Sequence, residues 1–95
     1  MNIEYLKLTI FSALLGNVGK NVRALAFDFT DTKIIVYGYL DNKPCDDDYE
    51  SIDIIITEIM SSCPDFTEQD IILTESHQPV ERLPSYKGWV FVRKE

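Results

Sequence analysis

Apolar positions along the chain recur at helical spacing in some stretches and alternate in others. Leu6, Ile10, Ala13 and Leu14 share one face at intervals of three and four, which predicts a helix over residues 3–15. Asn2 can cap its start, and Gly16 can supply the left-handed residue that ends it. Phe11 and Leu15 widen the apolar face, so this helix is expected to be well buried. Gly16-Asn17-Val18-Gly19 reads as a connector. Val22 to Phe29 then alternates, with Arg23, Leu25, Phe27 and Phe29 on one side and Ala24, Ala26 and Asp28 on the other, the pattern of a strand. After the turn Thr30-Asp31-Thr32, the β-branched and aromatic run Ile34 to Leu40 predicts a second strand. Lys33, Ile35, Tyr37 and Tyr39 fall on one side of it, and Ile34, Val36, Gly38 and Leu40 on the other. The short connection predicts an antiparallel hairpin.

Asp41-Asn42-Lys43-Pro44 breaks the second strand. Ile52, Ile55, Ile56, Ile59, Met60 and Cys63 return to helical spacing and predict a helix from about Asp46 to Ser62, stopped by Pro64. The isoleucines are β-branched and favour a strand mildly, but the length and the acidic start favour helix. Ile71 to Thr74 is expected as a short strand, Glu75 to Lys87 as a loop, and Gly88 to Arg93 as a final strand. The order αββαββ predicts an α+β fold: a four-stranded, mostly antiparallel sheet packed with two helices, in a single domain spanning residues 1–95. Leu6, Ile10, Leu14, Leu25, Phe27, Val36, Ile52, Ile55, Ile59 and Val90 are the expected core.

Charge changes this picture of an ordinary small domain. The net charge is −7. Residues 28–75 hold thirteen acids against two bases, Lys33 and Lys43, a net of −11, while residues 1–27 and 76–95 are each +2. An acidic middle of this kind repels nucleic acid and anionic membranes and attracts basic partners. Neither direct nucleic-acid binding nor membrane association is therefore expected. The apolar run Leu8 to Leu15 is too short to span a bilayer and lacks a following small-residue cleavage site, so it reads as a core helix. Cys45 and Cys63 lie near opposite ends of the second helix. Eighteen helical residues reach roughly 27 Å, beyond the ~7 Å limit of a disulfide. The two thiols are expected to stay reduced, as in a cytoplasmic protein.

Catalytic constellations do not stand out. His77, between Ser76 and Gln78, has no nucleophile and orienting acid assembled around it in sequence. There is no glycine-rich phosphate loop, no zinc spacing and no basic-aromatic patch. No cofactor is expected, and the chain reads as a binder rather than an enzyme. Its densest feature is Asp46-Asp47-Asp48, with Asp41 before it and Glu50 and Asp53 after. Acids in a first helical turn complement the helix dipole and cap free N–H groups. Three in a row beside Asp41 and Glu50 also form a candidate contact for a basic surface. A calcium site would need a glycine at the bend and a closing glutamate, and the glycine is missing. Tyr37, Tyr39 and Tyr49 are candidate apolar anchors, since tyrosine gives a large rigid contact with one polar tip. They suit a half-buried sheet as well.

Taken together, Leu14-Leu15-Gly16, Arg23-Ala24, Ile34 to Tyr39, Asp41, Pro44, Asp46 to Glu58 and Gly88 to Arg93 resemble the small immunity proteins of bacterial contact-dependent growth inhibition systems. The likeness covers most of the chain as a pattern, without one sharp motif. It implies a cytosolic antidote that binds and neutralises a cognate toxin domain, many of which are nucleases. A nuclease cleft is usually basic because it holds phosphates, which fits an acidic antidote. The family carries no universal functional residue. The candidate toxin-binding residues Tyr37, Tyr39, Asp41, Asp46, Asp47, Asp48, Tyr49, Glu50 and Asp53 therefore come from this sequence alone. The competing expectation is an acidic mimic of nucleic acid, or another small protein-binding regulator. A mimic would spread its charge along a longer face, and the basic ends of this chain disfavour it.

Overall fold

The computed structural model describes residues 3–14, 16 and 18–93. Asn2, Leu15 and Asn17, read above as a cap, part of a helix face and part of a connector, lie outside the described residues. The elements are α1 (Ile3–Leu14), β1 (Val22–Phe29), β2 (Lys33–Leu40), α2 (Asp46–Ser62), β3 (Glu68–Glu75) and β4 (Trp89–Val92), with a 3₁₀ turn at Val80–Arg82. The order is αββαββ, and the fold class is α+β as the periodicity predicts.

The four strands form one sheet in the order β3-β2-β1-β4. β1 is antiparallel to both β2 and β4. β3 runs parallel to β2, in unbroken register from Lys33 opposite Glu68 to Leu40 opposite Glu75. The parallel pair follows from α2, which carries the chain back across the sheet before β3 begins. β3 is also longer than expected. Glu68, Gln69 and Asp70 carry no apolar alternation, and they are extended because β2 pairs with them.

One face of the sheet is covered by the helices. Leu25, Phe27, Ile34, Val36, Leu40, Leu73 and Val90 meet Leu6, Ile10, Ala13 and Leu14 of α1 and Ile52, Ile55, Ile56 and Ile59 of α2 in a single core. All ten expected core residues are buried in it. Burial of this kind is worth about 1.5–3 kcal/mol per large aliphatic side chain. Gly38 leaves room for its neighbours on the two flanking strands: a Cβ there would sit 2.5 Å from Leu73 Cδ2 and 3.3 Å from Leu25 Cδ2. Gly16, at φ +78°, takes the left-handed conformation expected after α1.

Two expectations need correction. Phe11 does not join the core; it is 46% exposed, as are Tyr5 at 53% and Leu8 at 65%. Apolar character widens the face of α1 beyond the arc that the sheet and α2 can cover. Arg23 does not share a simple strand face with Leu25 either. The pairing of β1 with β2 shifts between Val22 and Ala24, so β1 carries one extra residue there. Val22 enters the core, while the buried Arg23 donates from Nη1 to the carbonyls of Ser76 at 2.7 Å and Gln78 at 2.9 Å. A buried guanidinium needs such acceptors, and these two tie the segment after β3 onto the sheet.

Candidate partner-binding surface

The start of α2 divides its acids by role. Asp48 turns inward. Its Oδ2 accepts the Cys45 backbone N–H at 2.9 Å and the Cys45 thiol at 3.3 Å, and its Oδ1 accepts Asn21 Nδ2 at 2.7 Å. This is the reach-back half of a capping box. Partial burial pushes the Asp48 carboxyl up, but the hydrogen bonds from Asn21 and Cys45 together outweigh it and hold the group below its ordinary range. Asp41 is also engaged, in a two-point ion pair with Arg93. These two candidate residues brace the fold.

Asp46, Asp47, Glu50 and Asp53 are exposed on α2. Successive positions advance by about 100° around a helix, so these four lie opposite the buried arc of Ile52, Ile55, Ile56 and Ile59. Residues not singled out from the sequence share that outer arc: Glu58, exposed, and Ile54, 51% exposed, together with the exposed Thr57 and Ser61. Spacings of three and four from Asp47 through Glu50 and Ile54 to Glu58 were the available signal. Among the described residues, no ion-pair partner is found for Asp46, Asp47, Glu50 or Glu58. Asp53 Oδ1 accepts Gln69 Nε2 at 2.7 Å, which links this face to β3. Tyr49, 40% exposed, flanks it.

Tyr37 and Tyr39 lie elsewhere, on the sheet face turned away from the helices. Tyr37 stacks on Tyr86 with ring centroids 3.6 Å apart and planes within 9°. Tyr86 holds a left-handed backbone at φ 51°. Tyr39 is buried, donates its hydroxyl to Pro84 O at 2.8 Å and meets Trp89 edge-on at 5.8 Å. Burial raises both tyrosine hydroxyls above their ordinary range, helped by the neighbouring tyrosines. The segment between β3 and β4 thus straps this face, and the two strand tyrosines hold the strap down. Lys33 pairs with Asp70 at 2.6 Å and Lys87 with Asp28 at 3.2 Å around them. The nine candidate residues therefore do not form one patch: Asp46, Asp47, Tyr49, Glu50 and Asp53 group on α2, and the rest do not join them.

The remaining features offer little chemistry. An open hollow of about 420 Å³ beside the β1–β2 turn is lined by Phe29, Thr30, Asp31, Thr32 and Asp65. His77 faces solvent beside Glu75 at 3.3 Å. Among the described residues, no three His, Cys, Asp or Glu side chains converge to hold a metal ion, and no helix is long and apolar enough to cross a membrane. No curated protein matches the chain. Residues 3–95, nearly its whole length, match the family described as MafI2 immunity protein. On that match, which spans both helices and all four strands, the chain belongs to the MafI2 immunity protein family.

Proposed function

We propose that this protein neutralises a cognate bacterial toxin domain, a nuclease of a contact-dependent inhibition system, by laying the acidic outer face of α2 against its basic substrate cleft. The reading places the encounter in the cytoplasm and assigns the chain no catalytic step. The observation that carries it is the row Asp46, Asp47, Glu50 and Glu58 around the exposed Ile54. Like charges gathered on one face, with no ion-pair partner among the described residues, repel one another and are relieved by a basic partner. Ile54 would supply the apolar centre that such a contact needs, with the carboxylates as its rim. Long-range attraction would speed association, which matters for an antidote.

The test is the variant Asp46→Asn, Asp47→Asn, Glu50→Gln and Glu58→Gln, with Asp48 kept to preserve the cap. It should fold as before, associate with the toxin about tenfold more slowly at low ionic strength, and lose the salt dependence of that rate. Nuclease activity should return at antidote concentrations that fully silence it with the parent protein. Unchanged association and full protection would sink the acidic-face reading. A toxin that is silenced but cleaves no nucleic acid would remove the nuclease assignment alone.

A further inference from the structure

β3 and β4 are the two edges of the sheet, and they are treated differently. Exposed edges present unpaired N–H and C=O groups, which proteins usually blunt by shortness, bulges, lysine or proline. β4 has four residues, and its pairing with β1 is irregular between Leu25 and Ala26. β3 has eight residues, EQDIILTE, in unbroken register with β2, with no proline and no basic residue. Its backbone is polarised in a definite way. Glu68 N–H donates to Thr32 O and Ser76 N–H to Leu40 O, each at 3.1 Å. With the regular parallel register between them, the even-numbered amides of β3 serve β2. The N–H groups of Gln69, Ile71, Leu73 and Glu75 consequently point to the outer edge.

From this geometry we infer that the outer edge of β3 is a docking line for an extended, basic segment of the toxin domain, which adds to the sheet as a fifth strand. This inference rests on the toxin-binding function proposed above and names a second element of the contact. Charge selects the occupant. Glu68 and Glu75 are exposed along β3, Asp70 is exposed while paired with Lys33, and the Asp53–Gln69 hydrogen bond joins that edge to the acidic face of α2. A second copy of β3 would set carboxylates against carboxylates. A strand carrying lysine or arginine would meet α2's acids on one side and Glu68 with the 44% exposed Ile72 on the other. Main-chain bonds would hold it and alternate side chains would select it.

Hydrogen exchange on the intact protein, alone and with the catalytically disabled cognate toxin domain, reads the edge directly. The amides of Gln69, Ile71, Leu73 and Glu75 should exchange quickly in the free protein and slow about tenfold or more in the complex. Gln69→Pro, which removes one outer N–H, should bind at least about tenfold more weakly than Gln69→Ala, which loses the same side chain but keeps the N–H. Equal thermal melting of the two variants shows that the ladder to β2 is intact. A complex that forms yet leaves the four amides exchanging at their free rates overturns the inference and leaves the acidic-face reading standing. Protection that grows with the concentration of this protein alone overturns it as well, in favour of a second copy. If no complex forms at all, both readings fall.

Discussion

Arg93 grips Asp41 with both ends of its guanidinium, Nη1 to Oδ2 at 2.6 Å and Nη2 to Oδ1 at 2.8 Å, and also donates to Lys20 O at 2.9 Å. The contact fastens the residue after β4 to the residue after β2 across the intervening β1. Two-point carboxylate pairing is the strong form of an ion pair. Both side chains keep partial solvent access, 31% for Arg93 and 43% for Asp41, which limits the gain to about 1 kcal/mol. Asp41→Asn should lower stability by that amount in urea titration and leave the toxin association rate unchanged. A slowed association would return Asp41 to the contact surface.

The covered and open sides of the helices should respond oppositely to truncation. Ile55, 1% exposed, packs in the shared core. Ile55→Ala is expected to cost about 2–5 kcal/mol by lost burial and a cavity. Phe11→Ser, at a site 46% exposed, should cost less than about 1 kcal/mol. Chemical denaturation of both variants measures the contrast, and equal losses would contradict the position of Phe11.

Asp48 should give stability a pH dependence at the acidic end. Hydrogen bonds from Asn21 and Cys45 outweigh its partial burial and hold its folded carboxyl below the ordinary range. A group lowered in this way contributes fully above its unfolded value, about 3.9, and loses that contribution as pH falls through the folded value. Asp48→Ala should therefore destabilise by about 1–2 kcal/mol at neutral pH. The gap between parent and variant should shrink on acidification. A gap independent of pH between 7 and 2 would deny the carboxylate its capping role.

The two thiols should differ in reactivity. Cys63 is buried, and burial together with the charge of Asp65 raises its thiol above the ordinary range. Cys45 is exposed at the start of α2. An aromatic disulfide reagent at neutral pH should label Cys45 promptly and reach Cys63 only at the rate of unfolding. Rapid labelling of two thiols in the native protein would contradict the burial of Cys63 in the core.

Most of the architecture was legible because burial writes itself into spacing. α2 begins and ends where the acidic start, the isoleucine periodicity and Pro64 place it. β3 was legible only at Ile71 to Thr74, because an edge strand exposed along most of its length has no reason to alternate. The parallel pairing was not legible, since nothing local in β3 states its direction; the passage of α2 across the sheet does. The site shows the same division. The outer face of α2 follows from helical geometry, so Ile54 and Glu58 were within reach. That Asp48 faces Asn21, Asp41 faces Arg93 and Tyr37 faces Tyr86 depends on chain segments far apart in sequence, which composition and spacing do not relate.

The parallel β2–β3 pair has a consequence for the order in which the chain assembles. The β1–β2 hairpin closes over the three residues Thr30 to Thr32 and can form early. β3 can reach β2 only after the chain spanned by α2 has been gathered in, and β4 must close a still longer loop onto β1. The central strands are thus expected to organise the transition state, with both edges added after the rate-limiting barrier. Folding kinetics should show this as a high φ value for Val36→Ala and a value near zero for Leu73→Ala. A chain paused at that barrier would hold its hairpin and lack the acidic edge strand altogether, and with it the docking line proposed for β3.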